Sequence, residues 1–165
     1  LHRLIRRQRQ MCIRDRSLDW FLLDQEPHQG IHAFIKDMNK LYLENDALYY
    51  NDNDVMGFEW MDCERAETST VAFVRRGKTT KKQLMFILNF TPVAHEQYTV
   101  KAPCGGTFRE ILNSDAPKYG GQGRLNESPI RAKKVTTDKK KETAYELTCY
   151  LPPLSVVVLE YDYKK

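Results

Sequence analysis

Leu84–Phe90 reads Leu-Met-Phe-Ile-Leu-Asn-Phe and stops at Thr91-Pro92. A short apolar run rich in β-branched and aromatic residues, closed by turn chemistry, is the signature of a strand. Phe58–Met61, Val71–Arg75, Tyr98–Val100, Phe108–Leu112, Tyr145–Leu151 and Val156–Tyr161 share that signature. The segments between them are turn material: Arg76-Gly77-Lys78, Pro103-Cys104-Gly105-Gly106, Asn113-Ser114-Asp115 and Gly120-Gly121-Gln122-Gly123. Short strands with no helices between them predict a mainly β chain, an antiparallel sandwich of about 100 residues. Alternate residues of a strand share a face, so Val71, Phe73, Phe86, Leu88, Leu147, Val156 and Val158 are expected to point into its core. The Lys/Thr-rich stretch Lys133–Lys141 reads as a solvated loop or hairpin tip. No internal repeat is evident.

Upstream the period changes. Ile31, Phe34, Ile35, Met38, Leu41 and Tyr42 recur at spacings of three and four, the stripe of an amphipathic helix, with Lys36, Asp37, Asn39 and Lys40 opposite. Pro27 suits its first turn, and Asn45-Asp46 with the run Asn51-Asp52-Asn53-Asp54 ends it near Glu44–Asn45. Ser17 and Asp19 are candidate cap residues ahead of it. The apolar face of this helix has no evident partner layer within the chain, so it is expected to need one from outside.

The 165 residues carry a formal charge of +4, which by itself suggests an acidic partner such as nucleic acid. That charge is local. Leu1–Arg16 holds six arginines against the single acid Asp15, a charge of +5, which leaves −1 for the rest of the chain. The stretch lacks the apolar core of a signal peptide and the serines of a transit peptide. Its back-translation resembles a transposon-based sequencing adapter read in frame, so it is set aside as artefactual and expected to form a disordered or isolated helical tail. With it goes the case for a nucleic-acid binder, since Lys133–Lys141 has none of the aromatic or glycine interleaving that such a patch needs. No apolar run approaches the roughly 18–20 residues that span a bilayer.

Cys63, Cys104 and Cys149 are widely spaced, form no C-x-x-C and read as thiols in a reducing cytoplasm. His28 and His32 lie one helical turn apart, but no third metal ligand accompanies them, and a capping or surface role fits better. Asn89 and Asn126 fit a glycosylation pattern that is idle in a cytoplasmic protein, and Asn89 is expected within a strand.

Eight strings carry a family signal: SLDWFLLD at 17–24, HQGIHAFIKDMNKLY at 28–42, GFEWMDC at 57–63, FVRRG at 73–77, LNFTPV at 88–93, FREILNSD at 108–115, YGGQG at 119–123 and LPPLSVVVLE at 151–160. In order and spacing they resemble the C-terminal end of bacterial 1,4-α-glucan (glycogen) branching enzymes of the α-amylase superfamily. The resemblance covers nearly all of Ser17–Lys165. It departs from the family at Phe21, where histidine is common, and at Phe108, where tryptophan is frequent. It implies three parts: the leader 1–16, the edge of a truncated (β/α)8 barrel with its last helix over 17–50, and a C-terminal all-β domain over 51–165.

The resemblance also implies a function: cutting α-1,4-glucan chains and transferring them to form α-1,6 branches in glycogen. Such barrels keep their active site at the C-terminal face of the strands, and the retaining mechanism uses a carboxylate nucleophile and a carboxylic acid/base. Those carboxylates belong to earlier barrel strands, so no catalytic residue is assigned here, and Asp19 and Asp24 are not substitutes. The family uses no metal or organic cofactor, and its partners would be α-glucan and the upstream barrel. Trp20 and Trp60 are the candidate glucan contacts, because aromatic faces are the usual sugar platforms. For Trp20 the competing reading is a wedge between the last helix and the barrel, and for Trp60 a core or domain-interface residue. Two other functions compete: a free-standing glucan-binding or structural sandwich, and the C-terminal domain of a related debranching or trehalose-forming hydrolase.

Overall fold

The computed structural model describes residues 19–64, 67–79, 81–136 and 143–163. The expectation for Leu1–Arg16 lies outside these residues. A five-residue 3-10 turn, Trp20–Asp24, leads into the one α-helix among the described residues, α1 (Glu26–Glu44), with proline in its first turn. Asp19 precedes that turn without a side-chain cap bond. The helix ends where the sequence places its end: Asn45 turns back and donates its side-chain Nδ2 to the carbonyl of Leu41 at 2.9 Å.

Eight strands follow: β1 (Phe58–Asp62), β2 (Thr70–Arg75), β3 (Gln83–Asn89), β4 (His95–Ala102), β5 (Gly106–Asn113), β6 (Ile130–Thr136), β7 (Thr143–Leu151) and β8 (Ser155–Tyr161). All pairings are antiparallel, in the order β1-β2-β3-β8-β5-β6-β7-β4. The fold is mainly β, as expected, but its two layers are one continuous sheet bent at β6. Ile130, Arg131 and Ala132 pair with Phe108, Thr107 and Gly106 of β5, and Lys133–Thr136 pair with β7.

That corner corrects the sequence reading of Lys133–Lys141. Lys133–Thr136 is strand, and residues 137–142 lie outside the described residues. Ile130, Ala132 and Val135 are half-buried while Lys133 and Lys134 are both exposed. The in–out alternation therefore resets between the two lysines, where the strand changes partners, and a reading by strict period two misses it.

The bend brings two apolar faces together. Ala72, Val74, Met85, Ile87, Phe108, Val157, Leu159 and Tyr161 from one layer meet Tyr98, Val100, Ala102, Leu147, Cys149 and Leu151 from the other. A fully buried Val, Leu or Ile contributes about 1.5–3 kcal/mol relative to an exposed one, so this is the main source of stability.

Of the residues expected to point inward, Leu147 does. Phe73, Phe86, Leu88, Val156 and Val158 lie on the opposite face, where they gather with Leu84 and Leu112 under Phe34, Met38 and Leu41 of α1. Val71, in phase with Phe73, is half-buried. The central strands β3 and β8 are covered on both faces, so both of their alternating sets are apolar and the pattern alone cannot say which faces the other layer.

The same cluster corrects a second expectation. Helix α1 does have a partner layer within the chain: the outer face of the sheet. Three contacts seat it. Gly30 lies against the 3-10 turn Pro117–Tyr119, where a Cβ would stand 2.6 Å from the carbonyl oxygen of Tyr119. Phe34 meets the Tyr119 ring edge-on at 5.2 Å. The carboxylate of Asp37 accepts from Lys118 Nζ at 2.6 Å and from the Tyr119 hydroxyl at 2.7 Å.

Candidate functional site

Trp60 sits on β1, the edge strand, paired only with β2. Register places it opposite Phe73, Phe73 opposite Phe86, and Phe86 opposite Val158. Residues opposite one another across antiparallel strands share a face, so one row of rings crosses three strands. Phe73 and Phe86 stack at 5.0 Å with 11° between planes, and Phe58 stacks on Phe73 at 5.2 Å. Trp60 meets Phe58 edge-on at 4.9 Å and Phe73 edge-on at 5.8 Å. Such pairs contribute about 0.5–1.5 kcal/mol each beyond area burial.

The row grades from buried to open. Phe86 is buried, Phe73 and Phe58 are half-buried, and Trp60 keeps 52% of its surface exposed. Trp60 is thus no core residue: the neighbouring rings contact it and leave about half of its surface to solvent. Below it, Glu59 points to the other side of the strand and pairs with Arg76, which leaves the aromatic side free of that charge.

The segment beside the row is tied down by Arg75. Its guanidinium donates to the carbonyls of Ala47 (3.3 Å) and Leu48 (3.1 Å) and to Asp52 Oδ1 (2.7 Å). Gly77 lies so close to Asp46 that a Cβ there would stand 2.2 Å from its carboxylate oxygen. These contacts fix the turns between α1 and β1 against β2.

Trp20 is placed differently. It opens the 3-10 turn before α1, in which no residue is buried, and is 69% exposed beside Phe21. No described aromatic contact joins it to Trp60. Phe21 in the turn and Ile31 and Ile35 on α1 are also exposed, so apolar surface runs from the turn onto the helix. His28 and His32 are both exposed, and among the described residues no three His, Cys, Asp or Glu side chains converge to hold a metal ion.

Asn89 closes β3, as expected of a strand residue. It is buried, donating to the carbonyls of Val93 and Pro152 and accepting from Thr91, so its role is to lock two turns together. No described helix is long and apolar enough to cross a membrane.

Sequence reasoning singled out Trp60 as a candidate but placed its neighbours Phe73 and Phe86 in the inter-sheet core. The signal was present as three in-phase aromatic positions on consecutive strands, but only the register brings them into one row.

Residues 60–162 match the family described as "Alpha amylase, C-terminal all-beta domain", and the chain belongs to that family. Among curated proteins it is similar to the 1,4-alpha-glucan branching enzyme GlgB of Synechococcus sp. (strain CC9311), with 41% identity over 153 residues, which is 90% of this chain and 19% of that protein. It is likewise 42% identical over 144 residues to the GlgB of Synechococcus elongatus (87% of this chain, 18% of that protein). For the GlgB of Aquifex aeolicus the figure is 40% over 146 residues (88% of this chain, 23% of that protein). The chain thus spans about a fifth of the length of the curated relatives it matches.

Proposed function

We propose that this chain is the C-terminal part of a 1,4-α-glucan branching enzyme, in which it binds glucan and supports a catalytic barrel encoded outside it. The observation that carries the glucan half is the half-open Trp60 ring, in contact with Phe58 and Phe73 in a domain whose relatives are named branching enzymes. A pyranose ring offers an apolar face of C–H groups, and a fixed, solvent-facing indole is a matching surface.

The chemistry lies elsewhere. A retaining transfer needs a carboxylate nucleophile and an acid/base about 5–5.5 Å apart across the scissile bond. The first takes the cut α-1,4 chain as a glycosyl-enzyme, and the second deprotonates the 6-hydroxyl of the acceptor glucan as the α-1,6 branch forms. These groups belong to the barrel in this reading, which calls for no metal or organic cofactor. The barrel is the partner for the exposed apolar surface of Trp20, Phe21, Ile31 and Ile35 on and before α1. The compartment is the cytoplasm, and neither nucleic acid nor membrane is a partner.

A second reading, a free-standing glucan-binding sandwich, gains from one observation: Phe34, Met38 and Leu41 of α1 find their apolar partner on the sheet without the barrel. Native electrophoresis through gels with and without glycogen tests the glucan half. The expected result is retardation by glycogen that Trp60→Ala abolishes. Unchanged mobility of the unsubstituted chain would remove the binding role and leave support of the barrel alone.

A further inference from the structure

We infer that the end of the sandwich beside the start of α1 docks onto the catalytic barrel, with Phe90 and Leu154 as its anchors. The inference rests on the reading above that the chain is one part of a branching enzyme.

Leu154 is the motive. It lies in the turn between β7 and β8 with φ at +45°, in the left-handed region, and it is 69% exposed. Glycine is the usual occupant of that region, because a Cβ there crowds the following carbonyl oxygen. A leucine in its place carries strain, and its side chain meets solvent instead of a core. Strain of this kind clusters where function uses it. The turn is also fixed. Leu154 N–H donates to the carbonyl of Thr91 at 2.8 Å, and Asn89 donates to the carbonyls of Val93 and Pro152, both at 2.8 Å. Turns 90–93 and 152–154 are thereby tied into one unit that holds Phe90, Val93 and Leu154 in the open.

Position, chemistry and size select the partner. Leu88 and Val156 pair across β3 and β8 and belong to the cluster under α1. Phe90 and Leu154 each lie two residues beyond them in the same phase, at the end where α1 begins. That end is marked by Gly30 resting on Tyr119 and by Ser114 exchanging hydrogen bonds with Val156. Trp20, Phe21 and Ile31, assigned above to the barrel, are exposed at the same end. Neither turn carries a charged side chain, and the first beyond turn 90–93 is Glu96. An anionic lipid surface or a nucleic acid calls for lysine and arginine. An aromatic anchor without charge is the make-up of a protein interface core. The three side chains expose on the order of 300 Å², short of the roughly 800 Å² per partner typical between free molecules. A tethered partner needs less, because the tether holds it at an effective concentration of about millimolar. The chain spans 19% of a relative such as the Synechococcus GlgB, so in the parent the remainder is that tethered partner.

The test lets residues 17–165 replace the segment that they match in the Aquifex aeolicus GlgB, to which the chain is 40% identical. Leu154→Gly and Phe90→Ser are compared in this fusion and in the free chain. In the free chain Leu154→Gly should hold or raise the melting temperature, by relief of strain, and Phe90→Ser should leave it within about 2 °C. The unsubstituted fusion should melt in one calorimetric transition. Each substitution should split that transition in two and speed trypsin cleavage at the junction by roughly tenfold. A fall in the free chain's melting temperature equal to that in the fusion would make Leu154 a structural residue and overturn the proposal. A free chain that sediments as a dimer, dispersed by either substitution, would make the occupant a second copy and overturn it as well. If Phe21→Ser splits the transition and the turn substitutions do not, the turns are no dock while the barrel reading stands. Two transitions in the unsubstituted fusion would end that reading, and the proposal with it.

Discussion

Trp60 and Phe73 face each other across β1 and β2, their rings 5.8 Å apart and 80° from parallel. The geometry separates two roles along one row of rings. Phe86, at the buried end, is structural: Phe86→Ala should cost about 3–5 kcal/mol. Trp60, at the open end, keeps two ring contacts of about 0.5–1.5 kcal/mol each and is half exposed, so Trp60→Ala should cost about 1–3 kcal/mol. Urea unfolding of the two variants measures both. Equal losses would mean that Trp60 is part of the core and not a platform.

Gly30 sets two effects against each other. Replacing it with alanine inside α1 would ordinarily stabilise the helix by about 1 kcal/mol. Here the added Cβ would meet the Tyr119 carbonyl oxygen at 2.6 Å, and backbone cannot swing aside as a side chain would. Overpacking of this kind costs about 1–3 kcal/mol, so Gly30→Ala should lower the melting temperature. A rise would show that α1 does not sit on the turn Pro117–Tyr119.

The Asp37 contact gives the same docking a pH signature. Hydrogen bonds from Lys118 and then Tyr119 hold its carboxyl below the usual carboxylate range. A depressed folded value means that the contribution is complete above the unfolded value of about 3.9 and is lost as pH falls through the folded one. Lys118 is raised, first by its hydrogen bond to Asp37, so its share is complete below about 10.4 and is lost as pH rises through the folded value. The melting-temperature gap between the unsubstituted chain and Asp37→Asn should therefore be constant across neutral pH, shrinking at both extremes. A gap that stays constant down to acid pH would contradict the pairing.

Much of this was legible in the sequence. The helix was, because Phe34, Met38 and Leu41 keep their period and Pro27 and Asn45 mark its ends. Seven strands were, because Gly, Pro and Asn-Asp clusters separate them. Strand β6 was not, since Lys133 and Lys134 break the alternation at the bend. The facing of β3 and β8 was not either, because Ile87 and Leu88 are both apolar and only tertiary placement assigns one to the other layer and one to α1. Trp60 was legible as a candidate from its residue type. Its neighbours were not, because Phe73 and Phe86 reach it through pairing register, which no local pattern records.

The thiols should divide by depth. Burial, with a smaller push from Glu110, raises Cys149 to about 12, and Cys104 is buried as well, whereas Cys63 is exposed. Only the thiolate reacts, so in a Cys12→Ser background Ellman's reagent at pH 8 should modify one thiol in the native chain and three after unfolding. Fast reaction of Cys149 in the native chain would mean that the inter-sheet core is open.

The most direct test of the central claim, that this chain binds glucan while the transfer chemistry lies outside it, is incubation of the purified chain with amylose. Iodine absorbance and α-1,6 linkage content are followed together. The expected result is unchanged absorbance and no new α-1,6 linkages, from a preparation that glycogen retards on a native gel. A falling absorbance accompanied by new α-1,6 linkages would contradict it, because branching would then be carried by residues within these 165.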